Sequence, residues 1–468
     1  MTLTVPAVRR PETSVVMVTF GAWGWTERAL RALVERTPGS YELIVVDNGS
    51  GEALLARLEE AVSGARLVAN PSNVGFGPAC NQGARLARGR HLVFLNTDAL
   101  VTRGWLAPLV RRAEGGAGAV GPMLLNLDGS LQEAGAAVWR DGVTTVLGAG
   151  EDPRRPEHRF PRTVDYVSAA CLVVRRSAFE AVGGFDPVYA PAYYEDADLC
   201  FSLAARGWPA AYEPRSVVVH ARGASGAHET ALRLVKRNRA IFTERWGARL
   251  AGRPLLPVPL DARALVAARD AGASARILVA ADAVPAPGEP AGRLTAALAA
   301  GWPAARLTLL APEGGEGPAE EAVRDLGVEV VAGVPDWPAW MEDRRDHYDV
   351  AVCAGRSPAL RALEGAIVAT QGRAARIDAP GASRLAELAR PLAGRESPAR
   401  RRERIEDRAR EIRRLAGVDA HLCGDDEEAR LVRAFAGDRP AVALEDAGEG
   451  PPAGLVAALA GVGVPPPL

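Results

Sequence analysis

The sequence predicts an α/β protein made of two successive Rossmann-like units, the first built on a mostly parallel sheet. Three observations carry this. Over the first 115 residues, short apolar runs alternate with segments whose apolar residues recur every three or four positions. The runs end in turn residues and acids. The same alternation begins again near residue 275, after a stretch rich in Ala, Arg and Pro.

Taken in order, "SVVMVTF" reads as a buried strand and "TERALRALVERT" as an amphipathic helix. "YELIVVDNGS" is a second strand closing in turn residues, and "GEALLARLEEAV" a second helix. "ARLVANPSN" and "GPACNQGARLARG" repeat the pair, as do "HLVFLNTDA" and "RGWLAPLVRRAEG". Buried runs without polar alternation are what parallel strands covered on both faces require. After about residue 120 the chain is richer in loops. "VDYVSAACLVVRR" and "SVVVHARGASG" remain as strands, and "DADLCFSLAARGW" and "HETALRLVKRNRAIFTERWG" as helices. These readings divide the chain into a domain over 1–250, a linker over 251–274 containing "RPLLPVPL", and a second domain over 275–468.

The 468 residues suffice for two or three domains. A net charge of −1 gives no electrostatic call for nucleic acid. Lys236 is the only lysine among 56 basic residues, which reads as compositional drift, so no single arginine is singled out. The five cysteines, Cys80, Cys171, Cys200, Cys353 and Cys423, are dispersed and form no CxxC, as expected for thiols packed in a reducing compartment. The N-terminus lacks a signal-peptide pattern, and no apolar run reaches the ~18 residues of a membrane span. The expected location is the cytoplasm.

In open α/β sheets, ligands sit beyond the carboxyl ends of the strands. Asp47 follows "LIVV" and Asp98 follows "LVFLNT", so both fall there. Each taken alone also reads as a turn or helix cap. "YYEDADLCF" (193–201) poses the same choice more sharply, with three carboxylates in four positions beside aromatic residues. A helix needs one cap, and adjacent like charges cost energy unless used.

Seven pieces come in one order: "TFGAWGW", "VVDNGS", "NVGFGPACNQG", "FLNTDA", "GGFD", "EDADLC" and "VVVHARGAS". In these, residues 14–247 resemble the family-2 glycosyltransferases of the GT-A fold, particularly the bacterial rhamnosyltransferase-like branch. The resemblance implies a nucleotide-diphospho-sugar donor, of UDP or dTDP. It implies that Thr19, Phe20 and Gly21 pass beneath the nucleotide and that Asp47 meets its base or ribose. Asn73, Gly75 and Asn81 form the loop and helix start beside it. "NTD" stands at the family's DxD position, with Asn96 replacing the first acid, Thr97 in the middle and Asp98 as the remaining carboxylate. Asp98 and His220 are then the residues for a divalent cation, Mn²⁺ or Mg²⁺. Asp196 takes the place of the catalytic base that removes the acceptor proton during inversion. Glu195 either contacts the acceptor or holds Asp196. Asp198 reads as an acid stabilised by the helix N-terminus. Tyr193 and Tyr194 either stack on an acceptor sugar or pack.

"ILVAADAVPAPGEPAGRLTAALAAG" and "VDAHLCGDDEEARL" are similar to the N-terminal half of family-4, GT-B-fold glycosyltransferases. Only one half of that fold fits after the linker, so this domain is expected not to catalyse by itself. The mixed-charge run "ARRRERIEDRAREIRRLAG" (399–417) reads as a solvated helix face, or as arginines meeting anionic lipid. The function expected is inverting sugar transfer to a saccharide or lipid-linked acceptor in surface polysaccharide or glycolipid synthesis, with peripheral association at the inner face of the membrane. The alternative is a non-catalytic sugar-nucleotide-binding scaffold. An oxidoreductase is disfavoured, because "FGAWGWTE" lacks the GxGxxG spacing after the first strand.

Overall fold

The structure, a computed structural model, describes residues 2–6, 8–222, 228–314, 317–334, 336–355, 357–371, 375–378, 418–423 and 441–443, with a few isolated positions beyond. The charged run 399–417 and the chain directly after Cys423 lie outside the described residues. Two compact units are present, Met1–Gly272 and Ala273–Leu468.

After a two-residue strand, Leu3–Thr4, that pairs with Val62–Ser63, the first unit runs through strand β1 (Thr13–Thr19), helix α1 (Trp23–Arg36), β2 (Tyr41–Asp47), α2 (Glu52–Ala61), β3 (Arg66–Ala69), α3 (Phe76–Leu86) and β4 (His91–Leu95). These four strands are parallel neighbours in the order β3-β2-β1-β4. Every position of β2 and β4 is buried, which is why their sequences show no polar alternation. Val16, Ile44, Val46 and Phe94 point to one face, where α3 packs. Val15, Met17, Val45 and Val93 point to the other, covered by Leu30 and Leu33 of α1 and Leu58 of α2.

Then follow β5 (Ala99–Val101), α4 (Leu106–Glu114), β6 (Ala119–Leu125), β7 (Leu131–Glu133), β8 (Ala136–Val138), β9 (Thr144–Val146), β10 (Arg162–Val164), β11 (Cys171–Arg175), α5 (Arg176–Val182), α6 (Glu195–Ala204), β12 (Ala210–His220), α7 (His228–Leu250) and α8 (Ala262–Arg269). The α/β class is as expected, with one addition. β11 runs antiparallel between β4 and β6, and continues the sheet as β4-β11-β6-β12-β10. Apolar periodicity records burial and not strand direction, so the reversal is invisible in the sequence. Cys80, Cys171 and Cys200 are free thiols buried in the core.

The chain expected as a linker from 251 packs instead within the first unit up to Gly272. Asp261 caps α8, its carboxylate accepting the Ala264 amide at 2.7 Å. Ala268, with Leu256, Ala264 and Leu265, covers the fully buried Trp139. Arg253 pairs with Asp165, and the Arg140 amide donates to the Pro254 carbonyl at 3.0 Å. Proline and arginine content suggested a linker, but the alanines and leucines of this stretch supply an apolar face.

The second unit carries β13 (Arg276–Ala281), α9 (Pro290–Gly301), β14 (Arg306–Ala311), α10 (Pro318–Asp325), β15 (Glu329–Ala332), α11 (Trp337–Glu342), β16 (Val350–Ala354), α12 (Pro358–Thr370), β17 (Ala375–Asp378), β18 (Ala420–Cys423) and β19 (Ala441–Ala443). Its sheet order is β15-β14-β13-β16-β17-β18-β19, and every pairing is parallel. The strand order reverses between β13 and β16, as in a doubly wound Rossmann sheet.

Candidate active site

At the carboxyl ends of β1 and β4 lies a cleft of about 610 Å³. Its lining includes Phe20, Asn48, Asn73, Asn96, Thr97, Asp98, Tyr193, Glu195, Asp196 and His220. Residues far apart in sequence meet there because strand register brings them together. β5 pairs with β12 so that His220 stands opposite Ala99. The preceding residue, Asp98, then faces the imidazole, with His220 Nε2 3.1 Å from Asp98 Oδ1 and 3.4 Å from Asn96 Nδ2. Both side chains are largely buried, His220 at 13% exposure and Asp98 at 7%.

Asp47 ends β2 opposite Thr19. Its Oδ2 accepts the Ser50 amide at 3.2 Å, while the buried Oδ1 has no hydrogen-bond partner. A buried carboxylate oxygen left without a donor is costly unless a ligand supplies one. Thr19 itself is buried beneath the cleft, its hydroxyl 3.3 Å from that of Thr26. Phe20 is 58% exposed in the cleft, and the Gly21 amide donates to Ser50 Oγ at 2.8 Å.

The turn at 73–77 is organised by a residue the sequence reading passed over. Asn48 is buried; its Nδ2 donates to Asn73 Oδ1 at 3.0 Å and to the Gly75 carbonyl at 3.3 Å. Its Oδ1 accepts from the Val74 amide and from Asn70 Nδ2, each at 3.1 Å. Gly75 has φ +96°, and a Cβ there would lie 3.1 Å from both Ala190 Cβ and Pro191 Cα. Its glycine is therefore explained by close packing on the 190–191 segment. Asn81 departs from expectation. Its Oδ1 accepts the Phe185 amide at 3.0 Å and its Nδ2 donates to the Phe185 carbonyl at 2.7 Å. Both ends of the amide are spent on the backbone, so Asn81 holds two chain segments together and does not line the cleft.

The three carboxylates of "EDADLC" divide. Asp198 accepts from the Tyr189 hydroxyl at 3.0 Å, Trp246 Nε1 at 2.8 Å and Arg245 Nη1 at 2.9 Å. It is a structural anchor between α6 and α7; its stabilisation comes from these donors. Glu195 is buried, with Oε2 unpartnered, and burial pushes its carboxyl up to about 8, with Asp196 adding to the shift. Asp196 is only partly buried; Oδ1 accepts the Ala197 amide at 2.8 Å and Oδ2 the Ala169 amide at 3.3 Å. Burial raises its pKa, and the two amide donors oppose that. Of the three, Asp196 combines exposure to the cleft with support for its charge.

Beside it stands a further carboxyl, Glu133, on β7. Its Oε1 accepts the Ser168 amide at 3.0 Å, so Glu133 and Asp196 grip consecutive amides. Burial raises Glu133 to about 7. Tyr193 and Tyr194 both adopt left-handed backbone conformations, φ 78° and 71°, uncommon for aromatic residues. Asn238 of α7 holds this turn, its buried Nδ2 reaching the carbonyls of Tyr189, Ala192 and Tyr193 at 2.9, 2.9 and 2.7 Å. Both line the cleft; Tyr194 is buried with its hydroxyl donating to the Gly142 carbonyl at 2.8 Å, and Tyr193 is the less buried of the two.

Asp98 and His220 suit a hard divalent cation as two of its ligands, with phosphate and water oxygens completing the shell. No group of three or more His, Cys, Asp or Glu side chains converges for metal binding among the described residues.

An acid–imidazole pair and a partly exposed carboxylate share one cleft at the strand ends. Residues 14–183 match the family profile described as Glycosyl transferase family 2. An N-acetylglucosaminyl-diphospho-decaprenol L-rhamnosyltransferase of Mycobacterium tuberculosis is 30% identical over 253 residues, covering 49% of this chain and 82% of that protein. A pre-mycofactocin glycosyltransferase of the same species is 32% identical over 196 residues, 41% of this chain and 39% of the other. The Sinorhizobium fredii protein y4gI is 29% identical over 238 residues, and the chain covers only 26% of its length. A crystal structure of GalNAc-T7 with UDP, GalNAc and Mn²⁺ aligns at 19% identity with a TM-score of 0.41, over 52% of this chain and 49% of that one. The chain belongs to glycosyl transferase family 2, and it is a glycosyltransferase.

Proposed function

We propose that the first unit transfers a sugar, with inversion, from a UDP- or dTDP-sugar to a saccharide or lipid-linked acceptor in cell-surface polysaccharide or glycolipid synthesis. The observation that carries this is the placement of Asp196, partly exposed and amide-supported, in the same cleft as Asp98 and His220. The acceptor part rests on kinship as well: the 30%-identical relative bears the name of a transferase acting on a diphospho-decaprenol lipid.

In this reading Asp196 removes the proton from the acceptor hydroxyl. The hydroxyl oxygen forms its bond to the anomeric carbon as the bond from that carbon to the diphosphate oxygen breaks on the opposite face. The proton stays on Asp196 and the electron pair leaves with the nucleoside diphosphate. Glu195 adjoins the base, and its burial favours the protonated form over a second negative charge. Asp47 offers its unpartnered Oδ1 to a donor group of the base or ribose. Asp98 and His220 would hold Mn²⁺ or Mg²⁺, whose charge offsets that growing on the leaving diphosphate. Asn96 in place of an acid lowers the negative charge of the set.

The described helices include none long and apolar enough to cross a membrane. We place the reaction at the cytoplasmic face, with the second unit assisting acceptor binding or docking. The test is incubation with Mn²⁺ and a panel of UDP-, dTDP- and GDP-sugars while assaying released nucleoside diphosphate. Release from one donor, lost in Asp98→Ala, is the expected result. No release, together with no donor-dependent thermal shift, overturns the proposal.

A further inference from the structure

We infer that Gln132 is a positioning residue that fixes His220 as the Nδ1–H tautomer and so leaves the Nε2 lone pair facing Asp98. This rests on the reading of Asp98 and His220 as cation ligands, and it adds a residue that neither the strand ends nor the carboxylate pattern marks.

The argument runs through amide orientations anchored on backbone carbonyls, which can only accept. Asn126 Nδ2 donates to the Leu131 carbonyl at 3.3 Å and to Ser130 Oγ at 2.9 Å. That turns Asn126 Oδ1 toward Gln132, whose Nε2 donates to it at 2.9 Å. The same Nε2 donates to the backbone carbonyl of His220 at 2.8 Å. Gln132 thus has both amide hydrogens committed and its Oε1 turned to His220 Nδ1, at 2.7 Å. An amide oxygen accepts only, so Nδ1 carries the hydrogen. In the neutral ring Nε2 is then the lone pair, and its neighbours are Asp98 Oδ1 at 3.1 Å and Asn96 Nδ2 at 3.4 Å. Asn96 Nδ2 can donate to that lone pair, and a divalent cation bound there would engage Nε2 and the Asp98 carboxylate oxygen together. Gln132 is 3% exposed, so water does not compete for the Nδ1 hydrogen.

Its place in the chain is equally determined. β7 pairs antiparallel with β6 through a bulge: Leu124 stands opposite Glu133 and Leu125 opposite Leu131, which leaves Gln132 as the extra residue. Gln132 faces His220 while Glu133 faces the Ser168 amide beside Asp196. One three-residue strand therefore supports both the imidazole and the base.

Gln132→Leu keeps comparable bulk but offers Nδ1 no acceptor. The ring then gains by placing its hydrogen on Nε2, where Asp98 Oδ1 accepts it, and the lone pair is withdrawn from a cation. Outer partners of metal-bound histidines are worth about 10- to 100-fold in affinity. Gln132→Glu retains an acceptor for the Nδ1 hydrogen and so keeps the tautomer, while its second oxygen loses the bonds that Nε2 donates to Asn126 Oδ1 and the His220 carbonyl.

The experiment uses the full chain and inorganic Mn²⁺. Two-bond ¹H–¹⁵N spectra of the metal-free protein resolve the ring tautomers of its six histidines, with His220 assigned by its loss in His220→Asn. Mn²⁺ affinity is followed by electron paramagnetic resonance in the presence of UDP. The expected result is an Nδ1–H ring in the native protein and in Gln132→Glu, an Nε2–H ring in Gln132→Leu, and about 10- to 100-fold weaker Mn²⁺ binding in Gln132→Leu alone. An unchanged tautomer in Gln132→Leu, or an Nε2–H ring in the native protein, overturns the inference. If His220→Asn leaves Mn²⁺ affinity unchanged, the cation-site reading fails instead, and the ring spectra still decide the role of Gln132. Should Gln132→Leu fail to fold, the native ring decides: an Nε2–H ring there overturns the inference.

Discussion

His220 Nε2 lies 3.1 Å from Asp98 Oδ1 although 122 positions separate them, because β5 and β12 pair with His220 opposite Ala99. Asp98→Ala removes the carboxylate and leaves the ladder intact. Nucleoside diphosphate release should fall about 1,000-fold, the scale of several kcal/mol of charge stabilisation, while the melting curve shifts little. Steady-state assays over a Mn²⁺ titration measure it; activity within tenfold of wild type would remove Asp98 from the site.

Asp196→Asn keeps the shape and, through its one oxygen, a single amide contact, while discarding the base. Transfer to an acceptor should drop about 100- to 10,000-fold, and hydrolysis of donor without acceptor should be retained. Equal loss of both reactions would assign Asp196 to donor binding.

Glu195 has a pH signature. Its carboxyl is held at about 8 against an ordinary 4.5, so the folded chain retains a proton there that the unfolded chain has lost. The protonated form contributes its full stability below pH 4.5 and loses it progressively as pH rises to about 8. Glu195→Gln removes that slope. The melting temperature of the variant minus that of wild type should climb from about pH 5 to about pH 8 and then level off. A difference that stays flat across the window rejects a buried neutral Glu195. Glu133 has the same sign but is common to both proteins, so it largely cancels.

Asn81 and Asn238 should behave as structural residues. Asn81→Ala strands the amide and carbonyl of Phe185, and Asn238→Ala strands three carbonyls around Tyr193. Each should cost about 1–3 kcal/mol in urea denaturation. Asn81→Ala should leave the donor KM unchanged. Asn238→Ala should raise the acceptor KM, because it releases the turn that carries Tyr193 into the cleft. A donor-specific KM increase in Asn81→Ala would return that residue to the donor site.

Residues at the ends of apolar strands were legible in the sequence: Asp47, Asp98 and His220 each close a hydrophobic run, and Asp98 and His220 line the cleft. Asp196 was legible through an excess of charge that capping does not explain. Gln132 and Asn238 were not, since a single amide in a loop-rich or basic segment looks like any solvated side chain. Their partners are backbone carbonyls 45 to 88 positions away, and no local pattern encodes such partners. Asn81 failed for the same reason in reverse. Its position beside the glycine turn suggested a ligand, while its bonds go to Phe185, 104 residues on. The reversal of β11 left no trace either, because a buried strand reads alike in both directions.

The packing of α8 over Trp139 decides where the chain can be cut. A fragment ending at residue 250 would leave an otherwise enclosed indole open to solvent and take Arg253 from Asp165. One ending at Gly272 keeps both covered. The shorter fragment should express as a sticky, ANS-binding protein and the longer one as a monodisperse preparation, so the boundary for isolating the transferase lies some twenty residues beyond the one that composition suggests.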